Sequence, residues 1–361
     1  MFPWLRQNLF SSRALNGFIA LSAGFFLLYA LTAQRGWGWG DSAEFQDWIL
    51  NQTAVVCGPH FSNAHPLYVC FCRSVAATPF AVTLVSAFFG ALSVGGLFLC
   101  TKRLGLSVVF GVSHMLWWNS CIAEVQTMNL AFTVFETVFL LRFIDRGEWR
   151  WFAGLVLLNG IHLNAHNFAL LALPVYAAAF LVRARGRRLA LALPLAALWA
   201  LGACGWIWAA RTRGLADVLV GAYGGKVFGM LPANGTLTAF NFALAALSFF
   251  APAAIWWWTR CCPKNVFVWA LFAVNLLFWV RYFVPDQATF LLPTLFLAFV
   301  LVSCAELAPK RLMALAALQL LLPLMAWQVL AMLPRPGWKT VHEGRNDAAY
   351  FALPWKIGVA R

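Results

Sequence analysis

What most constrains this chain is how far it runs without a charge. No Asp, Glu, Lys or Arg occurs between Arg13 and Arg35, between Arg73 and Lys102, or between Arg103 and Glu124. About 20 apolar residues let one helix cross a bilayer, where the backbone must satisfy its own hydrogen bonds. Similar runs recur to the end of the apolar sequence near Leu333. Apolar residues make up 62% of the chain and charged residues 11%, against about 25% charged in an ordinary soluble domain. The fold class that follows is all-α, a polytopic membrane protein.

Reading the runs as crossings predicts about eleven transmembrane helices, near 14–33, 79–101, 105–122, 125–143, 151–165, 167–182, 189–210, 237–259, 265–283, 288–306 and 312–333. The first run follows Arg6 and Arg13 and lacks a small-residue cleavage site, so it reads as an uncleaved signal anchor. Several runs are short, which leaves the turns at Glu124 and His166 inside a cavity rather than at the far interface. Residues 66–78, with Arg73 among them, suit a helix lying at the interface. The glycine-rich loop 211–236 is expected to act as a lid. Residues 1–333 are expected to form one membrane domain, and 334–361 a short tail on its outer face. No internal repeat is evident, which weighs against a transporter built from inverted halves.

The formal charge of +14 would point to nucleic acid in a soluble chain. Here the basic residues sit in turns and no basic stripe with exposed aromatics occurs, so nucleic acid is excluded as a partner. With the N-terminus in the cytoplasm, Lys102, Arg103, Arg142, Arg146, Arg150, Arg183, Arg185, Arg187, Arg188, Arg260, Lys264, Lys310 and Arg311 all fall inside, as the positive-inside rule expects. Arg211 and Arg213 are the main exceptions. That orientation puts Asp41, Glu44, His65, Glu124, His162, His166, Arg281 and Asp286 on or near the outer face. The nine cysteines show no metal-ligand spacing and read as small buried hydrophobes. A single bridge from Cys57 to Cys70 or Cys72 stays open.

Five constellations could carry chemistry. Asp41 and Glu44, in Trp37-Gly-Trp-Gly-Asp41-Ser42-Ala-Glu44-Phe45, share a face of any helix formed there. They read either as a general base with a neighbouring carboxylate or as the cap of a short helix. Gly38 and Gly40 would let the backbone approach a substrate closely. His65-Pro66-Leu67-Tyr68 follows, as a site element or a loop end. Glu124 is a carboxylate between apolar segments, where an unpaired charge costs several kcal/mol. Glu136 lies within the next crossing and needs a partner that the sequence does not name. His162 and His166 are one helical turn apart, without a third ligand for a metal, and suit hydrogen bonding to a sugar or phosphate. Arg281, ahead of Tyr282 and Asp286, either snorkels or grips a phosphate with its planar guanidinium.

Taken together, these blocks resemble the GT-C class of integral-membrane glycosyltransferases, in particular the bacterial branch related to protein O-mannosyltransferases. In that branch a Gly-Asp-Ser-Gly-Glu-Phe loop leads to a His-Pro-Pro-Gly-Tyr-Pro-Leu-Tyr segment. Gly40-Asp41-Ser42-Ala43-Glu44-Phe45 matches all but one position, and His65-Pro66-Leu67-Tyr68 is a shortened form of the second. Trp118 to Asn129 resembles a Trp-Ser…Ala-Glu-Val-Tyr…Asn block with Gln126 in place of Tyr. His162 to Asn167 and Tyr282 to Asp286 follow in order. The resemblance implies a GT-C fold and inverting transfer of a hexose from a polyprenyl-phosphate donor to a protein or glycolipid acceptor. It implies a site at the periplasmic face of the bacterial inner membrane. Asp41 would be the base, Glu44 and Glu124 supporting carboxylates, and His65, Tyr68, His162, His166, Arg281 and Asp286 substrate contacts. No metal ligand set is assigned, and a divalent cation is left as an optional cofactor. A lipid-linked-sugar flippase and a non-catalytic scaffold of the same fold are the alternatives.

Overall fold

The computed structural model describes residues 11–52, 65–184, 186–220, 235–260, 265–282, 287–332 and 347–358. Asp286, Cys57 and most of the expected lid lie outside the described residues. Among those described, the chain is helical without a strand. Six of these helices are long and apolar enough to cross a membrane: Ser12–Thr32, Pro79–Thr101, Gln126–Arg146, Asn241–Thr259, Gln287–Cys304 and Pro309–Gln328. Leu189–Gly202 and Cys204–Arg213 make a seventh only if taken as one span bent by 78°. Ala169–Arg183 and Val266–Arg281 are apolar but shorter.

The expected crossing at 105–122 is two short helices, Leu104–Gly111 and His114–Ser120, broken at Val112 and Ser113. A run that is apolar on every side carries no periodicity, so its hydropathy hides a turn. Gln287–Cys304, Gln126–Arg146 and Pro79–Thr101 form the centre, with 94%, 72% and 67% of their apolar windows buried. Ser12–Thr32 and Pro309–Gln328 form the rim, at 22% and 17%. Composition does not separate the two groups, because lipid tails are as apolar as a protein core. Leu27, Leu31, Leu193 and Met325 accordingly face outward.

Small residues set the tightest crossings. A Cβ on Gly160 would lie 2.3 Å from the Trp199 carbonyl oxygen, and one on Gly202 2.6 Å from that of Leu157. Backbone contact at this point pulls Trp199 close enough for its Nε1–H to donate to Asn159 Oδ1 at 2.9 Å. The described part of the expected tail is packed rather than free. His114 Nε2 donates to the Phe351 carbonyl at 2.8 Å, Trp118 Nε1 to that of Tyr350 at 3.0 Å, and Gly358 N–H to that of Thr32 at 3.1 Å. Tyr350, Ala352, Leu353 and Ile357 are buried, so residues 347–358 belong to the helical body. Cys70 and Cys72 are free thiols, and Cys304, expected to be a small hydrophobe, is disulfide-bonded.

Candidate active site

The acidic loop leaves the first helix and turns at Gly40, whose φ of 55° and ψ of −133° suit glycine alone. The Asp41–Leu50 helix starts immediately after it, with Gly40 at the cap and no side-chain cap bond. Asp41 is therefore the first helical residue and not the cap, and its carboxylate faces the positive end of the helix. Gln46, fully buried, fixes the loop from below. Its Oε1 accepts from Gly38 N–H at 2.5 Å, and its Nε2 donates to the carbonyls of Gly36 and Pro79 at 3.3 and 3.1 Å. Trp39 is held edge-on by Tyr350 and Phe351. Asp41, Glu44 and Phe45 share one helix face.

Asp41 and Glu44 are open to solvent on one side. The protein packed around Asp41 raises its pKa above the ordinary 3.8. Glu44 is raised above 4.5, first by its own burial and then by the charge on Asp41. A carboxylate raised towards neutrality is a stronger base than a free one.

Phe45 carries this helix onto the second element, its ring 5.7 Å from that of His65 and 5.2 Å from that of Tyr68. His65 sits at φ 44° ahead of Pro66, a left-handed conformation that costs a non-glycine residue about 1–3 kcal/mol. The bond from its Nδ1 to the Ala165 carbonyl, 2.7 Å long, holds it there. With Nδ1 donating, Nε2 keeps its lone pair. Burial lowers the His65 pKa to about 4, with the Ala165 bond opposing it, so the ring is neutral at physiological pH. Its plane stacks on His166 at 4.9 Å and 23°.

His162 and His166 do not form one ligand face. His166 turns towards His65, whereas His162 points into the bundle, stacked on Phe132 at 5.0 Å. Its Nδ1 lies 2.8 Å from Glu136 Oε1 and its Nε2 2.8 Å from Asn129 Oδ1. With both nitrogens engaged and the residue buried, His162 offers nothing to a substrate, which corrects its assignment as a direct contact. Glu136 also gains the partners that the sequence left unnamed: besides His162, its carboxylate accepts from the Tyr176 hydroxyl at 2.7 Å and from Asn159 Nδ2 at 3.3 Å. Tyr68 is likewise fully buried, its hydroxyl 3.2 Å from Ser86 Oγ, which in turn bonds the Glu124 backbone at 2.9 Å. Glu124 is buried, with Oε1 accepting from Val125 N–H at 3.0 Å. Tyr68 and Glu124 thus brace the floor of the site rather than line it.

Arg281 ends its helix exposed. The neighbouring Tyr282 stacks on Phe278 at 4.9 Å and meets Phe290 at 5.0 Å. Phe290 touches Phe168 at 5.2 Å, and Phe168 lies 4.2 Å from His166. A continuous path of rings therefore joins Phe45, His65, His166, Phe168, Phe290 and Tyr282. Gln46, Gln126, Asn129 and Asn159 escaped the sequence reading as site residues. Gln126, Asn129, Thr133 and Glu136 are spaced three, four and three apart, a polar stripe on one helical face that was there to be found.

A groove of about 290 Å³ lined by Trp149, Leu191, Pro194 and Leu198 lies at the other end of the His162 helix and is not this site. Among the described residues no three His, Cys, Asp or Glu side chains gather as a metal ligand set.

No protein-family model matches the sequence, and no curated protein matches it. One solved structure does match: ArnT from Cupriavidus metallidurans bound to undecaprenyl phosphate, at a TM-score of 0.64 and 14% identity. The match covers 97% of this chain and 70% of that one. At this identity the likeness is one of fold alone. It does not single out the branch related to protein O-mannosyltransferases.

Proposed function

We propose that this chain is a membrane glycosyltransferase that moves a hexose from a polyprenyl-phosphate donor to an acceptor hydroxyl at the periplasmic face of a bacterial inner membrane. What carries the reading is Asp41: a raised carboxylate in the first turn of a helix whose Phe45 packs on His65, in a fold matched over 97% of its length. The ArnT structure holds undecaprenyl phosphate, which is the leaving group this chemistry requires. The basic turns support the periplasmic orientation, and six helices long and apolar enough to cross a membrane support the membrane reading.

Asp41 takes the proton from the acceptor hydroxyl as its oxygen attacks the anomeric carbon. The bond from that carbon to the phosphate oxygen breaks, and polyprenyl phosphate leaves with the electron pair. Attack opposite the leaving group inverts the anomeric centre. Glu44 raises the basicity of Asp41 when both are charged. The His65 Nε2 lone pair accepts from a sugar hydroxyl, and Arg281 balances the charge developing on the phosphate. Around Glu136 the buried polar groups His162, Asn159 and Tyr176 satisfy its carboxylate instead of lining a passage, which favours a transferase over a flippase.

The test uses purified protein in lipid nanodiscs with synthetic polyprenyl-phosphate hexoses, following release of polyprenyl phosphate by mass spectrometry. Wild-type protein consumes a donor and Asp41→Asn does not. Turnover by Asp41→Asn at the wild-type rate would remove Asp41 as the base. Comparing periplasmic proteins and glycolipids with and without the gene identifies the acceptor, as the species that lacks one hexose.

A further inference from the structure

Beneath the His65–His166 pair, five buried polar groups form a line. Gln126 Nε2 is 3.4 Å from His166 Nε2, Asn129 Nδ2 is 3.2 Å from Gln126 Oε1, and His162 bridges Asn129 to Glu136. Gln126, Asn129, His162 and Glu136 are each at most 2% exposed. With the amides in that orientation, His166 faces two donors: the Gln126 amide at Nε2 and Phe168 N–H at Nδ1, 3.2 Å away. A neutral imidazole has one acceptor nitrogen, so one of these contacts must fail. The oxygen and nitrogen of a carboxamide are assigned from the network they join. Exchanging them in both Gln126 and Asn129 keeps every heavy-atom distance and removes the conflict.

The donors then run in one direction. Phe168 N–H donates to His166 Nδ1, His166 Nε2–H to Gln126, Gln126 to Asn129, Asn129 to His162 Nε2, and His162 Nδ1–H to Glu136. No step in this line has two donors or two acceptors facing each other. Its direction is set by its last member, whose carboxyl oxygens accept from Tyr176 and Asn159 as well as from His162. Trp199 in turn fixes Asn159 by donating to its oxygen.

From this geometry we infer that Glu136 is a positioning residue for the active site, acting through His162, Asn129 and Gln126. With Phe168 N–H donating to Nδ1, the line keeps the Gln126 oxygen on His166 Nε2, so that the Nε2–H tautomer suits both neighbours and the plane on which His65 stacks is fixed. Glu136 does not touch substrate. The inference rests on the transferase reading only for its kinetic consequence, because the tautomer itself is a property of the resting protein.

The experiment is nitrogen NMR of full-length protein carrying 15N-histidine in nanodiscs, with His166 assigned by the signal lost in His166→Gln. Wild-type protein is expected to show His166 as one tautomer, protonated at Nε2. Asn129→Leu cuts the line while leaving Glu136, His162 and Tyr176 together, and is expected to release His166 into a mixture of tautomers. Glu136→Gln should do the same, and Glu136→Asp should restore the single form in part. In the turnover assay both breaks lower kcat by about 10–100-fold, the size seen when an orienting partner is removed, with the donor KM little changed. A wild-type His166 protonated at Nδ1 overturns the inference without any variant. So does an unchanged tautomer in both Asn129→Leu and Glu136→Gln. If the tautomer responds as stated and no donor is consumed, the relay stands and the transferase reading falls.

Discussion

Gln46 offers the sharpest test of how the acidic loop is held. It is fully buried and joins Gly36, Gly38 and Pro79. Gln46→Leu keeps the volume and removes all three bonds. An orphaned buried donor or acceptor costs about 1–3 kcal/mol. Gly36, Gly38 and Pro79 are half-buried, so water reaches them and the lower figure applies. Three groups at about 1 kcal/mol each give about 3 kcal/mol of lost loop order. At 1.4 kcal/mol per factor of ten, that lowers the population holding Asp41 in place by up to about a hundredfold. Glutamate at this position would set a buried carboxylate oxygen against the Gly36 and Pro79 carbonyls, so Gln46→Glu should be no milder than Gln46→Leu. The assay is donor turnover in nanodiscs, with intrinsic tryptophan fluorescence following thermal unfolding of the same samples. The expected result is a loss in kcat larger than any change in donor KM. Turnover by Gln46→Leu within twofold of wild type, at the wild-type melting temperature, would show that the loop is held by something else.

Three further outcomes follow from the same site. Turnover should rise with pH through the raised pKa of Asp41, because only the ionised form is a base; Asp41→Asn should abolish that limb, and a flat profile in wild type counts against the assignment. Stability takes the opposite sign for this group. The folded chain holds the Asp41 proton better than the unfolded one, so its contribution is fullest below 3.8 and is lost as pH rises through the folded value. His65 runs the other way: its contribution is complete above 6.5 and is lost as pH falls towards about 4, by at most about 3 kcal/mol and less for the part of the ring open to solvent. His166, also lowered by burial, acts in the same direction, and thermal unfolding between pH 7 and 4 measures both, with His65→Gln flattening the slope. Gly40→Ala has room for its Cβ but not the conformation, since nothing lies within 4 Å and φ is 55°. It should cost about 1–3 kcal/mol and reduce turnover, whereas an unchanged melting temperature would mean that the turn relaxes freely.

Some of the site was legible as spacing. Asp41, Glu44 and Phe45 fall on one face because the residues after Gly40 form a helix, which the pattern allowed. Ring contacts join the turns bearing His65, His166 and Tyr282, and Ser86 links the Glu124 backbone to Tyr68. The division of labour among them was not legible. His162 and His166 look equivalent in sequence, one turn apart, yet one ring lies on His65 and the other is saturated by Glu136 and Asn129. Tyr68 and Glu124 read as substrate contacts and are floor. Residues 347–358 read as a tail and instead pack against Trp39, His114 and Trp118.

The sequence by itself determined the class: a chain with such long uncharged runs has to satisfy its backbone internally, and in lipid that means helices. It also placed the acidic loop where a reactive carboxylate could sit. Which apolar helix is central and which meets lipid was decided only by the tertiary structure, because both environments favour the same side chains. Only that structure, too, paired Glu136 with His162, Asn159 and Tyr176. The four residues lie on three helices, and no local pattern encodes how those helices cross; Gly160 and Gly202 let the Asn159 helix touch a fourth, which brings Trp199 onto Asn159.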